Sequence, residues 1–178
     1  MMKGTKAVAG MNIKRLMFGI CVAFVLLGAF VCVASARTIY VPDDYAKIQW
    51  AVDNAFAGDT IIVRDGIYYE SITVSKQLTI KSENGSAYCI VNGTGSDVFT
   101  LKADGIRIEG FTITGGGYGI YIRSNKNMII NNTISSNNYD GIFLCSNNNS
   151  ISNNNISSNN DEGIHLVVQT ITYQTMNS

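Results

Sequence analysis

The chain has little of what usually carries chemistry. Its 178 residues include one histidine, one proline and one tryptophan, and 13 basic residues balance 13 acidic ones. Zero net charge without a basic cluster offers nothing to attract a phosphate backbone, which excludes nucleic acid as an expected partner. One imidazole, His165, is thin material for a metal centre, so neither a metal nor another cofactor is expected. Cysteine is scarce too. Of four, Cys21 and Cys32 lie in an apolar N-terminal stretch and neither follows the small residues of a lipoprotein signal, so a lipid anchor is not expected.

The N-terminus carries a targeting pattern. Lys14 and Arg15 precede an uncharged run from Leu16 to Val33, and Ala34, Ser35 and Ala36 supply the small residues of a signal-peptidase site. Residues 1–36 read as a signal peptide, with Met11 as an alternative start. An uncleaved anchor is the competing reading, since the run reaches the length that just spans a bilayer. The expected location is secreted, periplasmic or cell-surface, with membrane contact only through this segment if it is retained.

Beyond the leader the chain repeats. Gly119, Ile120, Tyr121 and Ile122 return as Gly141, Ile142, Phe143 and Leu144, and again as Gly163, Ile164, His165 and Leu166, each 22 residues on. The stretch from Asn131 to Asn138 reappears from Asn153 to Asn160 at the same offset. A period in this range belongs to stacked solenoids. From 125 to 160 there are 14 asparagines and only Lys126 and Asp140 are charged, a composition that disorder also produces. The in-register isoleucines, Ile129, Ile134, Ile142, Ile151, Ile156 and Ile164, argue against disorder.

Within each copy the alternation is strand-like, with Ile and Leu on one face and the intervening residues on the other. Three short strands per 22 residues, parted by Asn, Ser and Gly turns, describe one coil of an all-β parallel β-helix. Asparagine tolerates left-handed backbone at tight bends, and stacked copies, Asn131 over Asn153 for example, can pass amide hydrogen bonds from coil to coil. Gly119, Gly141 and Gly163 mark bends where a Cβ would clash. Cys89 and Cys145 fall two to three coils apart, about 10 Å or more at ~4.8 Å per coil, beyond disulfide reach.

The upstream half fits less regularly. Strand-like runs occupy Thr60 to Val63, Ser71 to Val74, Leu78 to Ile80, Val98 to Leu101, Ile106 to Ile108 and Phe111 to Ile113. Tyr45, Ile48, Val52 and Ala55 or Phe56 have helical spacing, Asp43 or Asp44 stands at the start and Gly58 at the end. This pattern predicts a short amphipathic helix from Asp44 to Ala57 that closes the N-terminal end of the core. The expected organisation is residues 37–59 as strand and capping helix, 60–168 as the β-helix, and 169–178 as a tail or truncated repeat. After Leu166 the register dissolves, which raises the expectation of a fragment of a longer repeat protein.

The segment from Thr38 to Tyr45, with Ile48 to Val52, Gly58 to Val63 and Gly66 to Glu70, resembles the start of pectin-lyase-like right-handed parallel β-helix domains. The Asn-Asn-x-Ile and Gly-Ile-x-Leu elements resemble NosD-like repeats of bacterial periplasmic and archaeal surface proteins. The resemblance runs from Arg37 to Leu166 and implies the fold; for activity it implies little, since the superfamily holds lyases, esterases, hydrolases, epimerases and non-catalytic members. Lyases and hydrolases on this scaffold need clustered carboxylates, often with Ca²⁺, Arg or His. Asp140 and Glu162 share a register and read as solvated turn residues; Asp97, Asp104 and Glu109 lie on earlier coils. Neither the paired aspartates of polygalacturonases nor an Arg cluster is present, so no catalytic residue is assigned. The NosD name suggests copper, but Met128 and Met176 are out of step with His165.

One exterior stripe stands out. Tyr121, Phe143 and His165 share an outward register, and Arg123 opens the next row above Cys145. Flat rings stacked at coil spacing, among Asn and Ser hydrogen-bonding groups, suit a sugar chain; aromatic packing that only stabilises the sheet is the competing reading. Glycosylation sequons begin at Asn84, Asn92, Asn131, Asn148 and Asn155, of which Asn84 and Asn92, beside glycines in loops, are the expected acceptors and Asn131 is expected to be enclosed in the ladder. The expected function is a secreted or surface-displayed non-catalytic module that contacts carbohydrate or cell-envelope polymer. Two alternatives stay open: the N-terminal piece of a carbohydrate-active enzyme, and an architectural surface-layer component.

Overall fold

The structure is a computed structural model that describes residues 35–167. The expected signal segment, up to residue 34, and the residues from 168 on lie outside the described residues.

Among the described residues, sixteen short strands and one helix follow one another around a coil. The order is β1 (Thr38–Val41), α1 (Ile48–Asn54), β2 (Thr60–Val63), β3 (Gly66–Tyr69), β4 (Ile72–Val74), β5 (Thr79–Ser82), β6 (Cys89–Asn92), β7 (Phe99–Leu101) and β8 (Arg107–Glu109). It continues with β9 (Thr112–Thr114), β10 (Ile120–Ile122), β11 (Met128–Ile130), β12 (Thr133–Ser135), β13 (Ile142–Leu144), β14 (Ser150–Ser152), β15 (Asn155–Ser157) and β16 (Ile164–Leu166). They form three parallel sheets, ordered β1-β2-β5-β8-β11-β14, β4-β7-β10-β13-β16 and β3-β6-β9-β12-β15. This is the expected parallel β-helix, six coils along its longest sheet.

The register follows from the repeat. Ile120 pairs with Ile142 and Ile142 with Ile164, each 22 residues on. Earlier coils differ in length: Thr60 pairs with Thr79, and Thr79 with Arg107. A coil can absorb such variation because the extra residues go into turns while each strand keeps its inward side chain. Ile61, Ile80, Ile108 and Ile129 stack in one sheet, Phe99, Ile120 and Ile142 in another, Val91, Ile113 and Ile134 in the third, all fully buried. Burying one such side chain contributes roughly 1.5–3 kcal/mol. Alternation does not single out β3 or β6: Ile67 and Tyr69 of β3 are exposed and Ile90 of β6 is half-buried, so apolar side chains stand on the outer face.

The N-terminal helix is shorter than its spacing predicts, Ile48–Asn54 rather than Asp44 to Ala57. It packs on β1, β2 and β4 through Ile48, Ala51 and Val52, with Ala55 buried behind it and Phe56 exposed. Neither Asp43 nor Asp44 caps it. Asp44 instead accepts the Tyr40 N–H at 2.7 Å. The cap comes from the adjacent coil: the buried Glu70 carboxylate accepts the Ile48 and Gln49 N–H groups at 2.9 and 3.0 Å. A carboxylate there satisfies two otherwise orphaned donors and meets the positive end of the helix.

The asparagine ladder is present but displaced by one residue from its expected position. Asn131 and Asn153 adopt left-handed backbone, φ 57° and 56°, and Asn131 is exposed. Their neighbours make the rungs: the Asn132 Nδ2 donates to Asn154 Oδ1 at 3.1 Å, Asn137 to Asn159 at 2.9 Å and Asn127 to Asn149 at 3.0 Å. The left-handed residue turns the chain so that the next side chain points inward, where only a fully hydrogen-bonded amide is tolerated. At Gly119 and Gly141 a Cβ would stand 2.5 and 2.7 Å from the carbonyl oxygen of the next coil's glycine, as expected, but at Gly163 it would meet nothing closer than 3.5 Å, so the expected clash is absent there. Cys89 is buried and Cys145 half-buried, both free thiols as expected.

Candidate functional site

The sheet built from β4, β7, β10, β13 and β16 presents one outward line. Thr100 pairs with Tyr121, Tyr121 with Phe143 and Phe143 with His165, and the flanking Ile120, Ile122, Ile142 and Leu144 are driven inward, so these four side chains face out. The rings do not lie flat. Tyr121 meets Phe143 edge-on at 5.2 Å and 85°, and Phe143 meets His165 at 5.0 Å and 42°. Strands ~4.8 Å apart hold rings too far for parallel stacking, so they tilt until an electropositive edge meets a neighbouring face.

Two further tyrosines join them. Tyr118 lies 5.6 Å from Tyr121, 4.9 Å from Phe143 and 5.3 Å from Tyr139. Both sit in turns, outside the strand alternation that picked out the stripe. The signal for Tyr118 was its place directly before the repeated glycine, one residue from the start of β10. Burial pushes its hydroxyl above the ordinary tyrosine range, and Asp140 and Asp97 add to the effect, so it remains a hydrogen-bond donor at neutral pH. Burial does the same to Tyr121, with Cys145 beside it. Arg123 is exposed, its guanidinium 5.4 Å from the Tyr121 ring centre, and it lines a separate recess of about 200 Å³ with Asn125, Cys145 and Asn147.

Beside the aromatic line runs an acidic one. Asp97, Tyr118, Asp140 and Glu162 occupy the same slot on successive coils, each backbone N–H reaching back to the carboxylate beneath where there is one. Asp97 Oδ1 accepts the Tyr118 N–H at 3.2 Å, and Asp140 Oδ1 accepts the Glu162 N–H at 2.8 Å. Asp140 is therefore buried, not the solvated turn residue its sequence context suggests, while Glu162 is exposed. His165 Nδ1 stands 3.5 Å from Asp140 Oδ2 and 3.7 Å from Glu162 Oε2. An open recess of about 410 Å³ is lined by Tyr118, Asp140, Phe143, Asp161, Glu162 and His165. It offers ring faces along one wall and hydrogen-bond acceptors on the other, the pairing that a sugar's apolar C–H face and hydroxyl rim require.

Asn84 is exposed, its amide donating to both Asp65 oxygens at 3.1 Å. Asn92 is half-buried against Gly115, where an added Cβ would come within 2.3 Å of the Asn92 Oδ1. Asn131, expected to be enclosed, is exposed because the ladder runs through Asn132.

Comparison with known proteins matches residues 53–177 to a family model described as a right-handed beta helix region. A protein named "Cell surface glycoprotein" from Methanothermus fervidus is 42% identical over 108 residues, which cover 58% of this chain. The match takes in 18% of that protein, so the chain corresponds to a small part of its relative's length.

Proposed function

Because the chain belongs to the right-handed β-helix family, whose shared architecture serves unrelated chemistries, we propose that it is a surface-displayed, non-catalytic module that contacts carbohydrate or cell-envelope polymer through the Tyr118, Tyr121, Phe143 and His165 face. The observation that carries this reading is the run of Tyr121, Phe143 and His165 on three successive coils beside an acceptor-lined recess. Surface placement is supported by the name of the Methanothermus relative and by the signal pattern at residues 1–36. That the relative is a glycoprotein supports glycan attachment here as well, with Asn84 the most open of the two expected acceptors.

The test is a screen of polysaccharides and isolated envelope polymers with the purified chain. Tyr121→Ala and Phe143→Ala each weaken binding by about tenfold, the equivalent of ~1.4 kcal/mol for one aromatic contact. Equal binding by parent and variants refutes this face as the site. Release of reducing ends from a bound polymer would favour the enzyme alternative. Ordered self-assembly without glycan binding would favour the architectural one, which the relative's name also supports.

A further inference from the structure

We propose that Asp140, Glu162 and His165 form a binding site for a divalent transition ion of the Zn²⁺ class. One ligand atom from each lies within 4.8 Å of the others. In a tetrahedral site with bonds of ~2.0–2.2 Å, neighbouring ligand atoms are about 3.3–3.5 Å apart. The His165 Nδ1 distances, 3.5 Å to Asp140 Oδ2 and 3.7 Å to Glu162 Oε2, need only a small contraction to reach that.

The stronger argument comes from comparing coils. Asp97 and Asp140 play the same structural part, each accepting the next coil's N–H through Oδ1. On the Asp97 coil the second oxygen is also used: Thr100, three residues on, donates its hydroxyl to Oδ2 at 3.4 Å. On the Asp140 coil the position equivalent to Thr100 is Phe143, which has no donor. The Asp140 side chain is only 5% exposed, and among the described residues its Oδ2 accepts no hydrogen bond. Among the described residues no fully buried side-chain oxygen lacks a partner, so this Oδ2 opens onto the recess, where it faces His165 Nδ1 at 3.5 Å and no donor takes the part of Thr100. Structure alone calls for one Asp140 oxygen; the second is turned toward Glu162 and His165.

The donor set selects the ion. One imidazole nitrogen with two carboxylate oxygens suits Zn²⁺ and its neighbours, whereas Ca²⁺ and Mg²⁺ favour all-oxygen shells. Backbone bonding through Oδ1 fixes Asp140 before any ion arrives, and three protein ligands leave a coordination position open toward the recess that Tyr118 and Phe143 line. The inference does not rest on the carbohydrate reading.

Calorimetric titration of ZnCl₂ into the full chain, free of any polyhistidine tag, tests it without glycan present. One Zn²⁺ binds per chain and raises the melting temperature. His165→Phe, which keeps a ring against Phe143 but removes both nitrogens, and Glu162→Gln, at an exposed position, each weaken binding by about tenfold or more, as loss of one of three ligands demands. Calcium at the same concentration produces no comparable heat. The proposal is overturned by no Zn²⁺ binding to the parent, by Zn²⁺ binding that neither variant weakens, or by equal binding of Ca²⁺; the first outcome would make the cluster an ion pair of His165 with its two carboxylates.

Discussion

Replacing Asn132 by alanine tests how the coils are held together. The side chain is 1% exposed. Its Oδ1 accepts the Phe111 N–H at 2.9 Å, and its Nδ2 donates to the Ile108 carbonyl and to Asn154 Oδ1, each at 3.1 Å. Asn132→Ala leaves the buried Phe111 N–H without a partner, which costs about 1–3 kcal/mol, and the two acceptors lose a donor. With the small void that remains, the expected loss is about 2–4 kcal/mol. Urea unfolding followed by circular dichroism then shifts its midpoint down by about 1–2 M at a typical slope of ~2 kcal/mol per molar. Amide exchange should accelerate at Phe111 before the rest of the coil. Asn131→Gly, one residue earlier, is the control: that position is exposed with φ 57°, which glycine adopts freely, so stability changes by less than about 0.5 kcal/mol. A loss below about 1 kcal/mol for Asn132→Ala, or a larger one for Asn131→Gly, refutes the assignment of the ladder to the second asparagine of each pair.

Two further outcomes are expected. In Gly119→Ala the new methyl stands 2.5 Å from the Gly141 carbonyl and 2.6 Å from Ile134 Cγ2, forcing backbone apart at a cost of about 3 kcal/mol, whereas Gly163→Ala meets nothing closer than 3.5 Å and costs within about 0.5 kcal/mol; thermal unfolding of the two variants should differ plainly. Burial pushes the Asp59 carboxyl up, but N–H bonds from Arg37 and Phe56 and the Arg37 ion pair outweigh it and hold the group below its ordinary value of 3.8. With the folded value depressed, its stabilisation is fully present above the unfolded value and is lost as pH falls through the folded one, so stability should decline below about pH 4. Unfolding free energies measured from pH 6 to pH 2 should decline less steeply in Asp59→Asn, and an unchanged profile would contradict this account.

The repeat made much of the fold legible because a solenoid uses one interaction many times. A 22-residue step places Ile120, Ile142 and Ile164 in one column whatever the turns between them do, and the pairing of those three strands follows. The same logic put Tyr121, Phe143 and His165 in one exterior line and Asp140 beneath Glu162. Periodicity is weaker where coils vary in length, and β3 and β6 do not stand out because apolar side chains turn outward there, Ile67 and Tyr69 in β3 and the half-buried Ile90 in β6. Helix capping departs from expectation for another reason: local spacing nominates Asp43 or Asp44, yet the N–H groups are met by Glu70, which only the return of the chain brings to them.

The sequence by itself determined which residues share a slot in the later coils, since a constant period there and inward-facing isoleucines admit one stacking register. It could not determine what happens within a slot. Two adjacent asparagines are equivalent in period, and only the left-handed backbone at Asn131 sends Asn132 into the ladder. Tyr118 lies off the strand alternation, and only the turn's path lays its ring against Phe143. Asp140 reads as a solvated turn residue until the Glu162 N–H of the next coil encloses it and Phe143 withholds the donor that Thr100 supplies to Asp97. Period is a property of the chain, whereas burial and hydrogen-bond satisfaction depend on distances between coils, which exist only once the chain has wound.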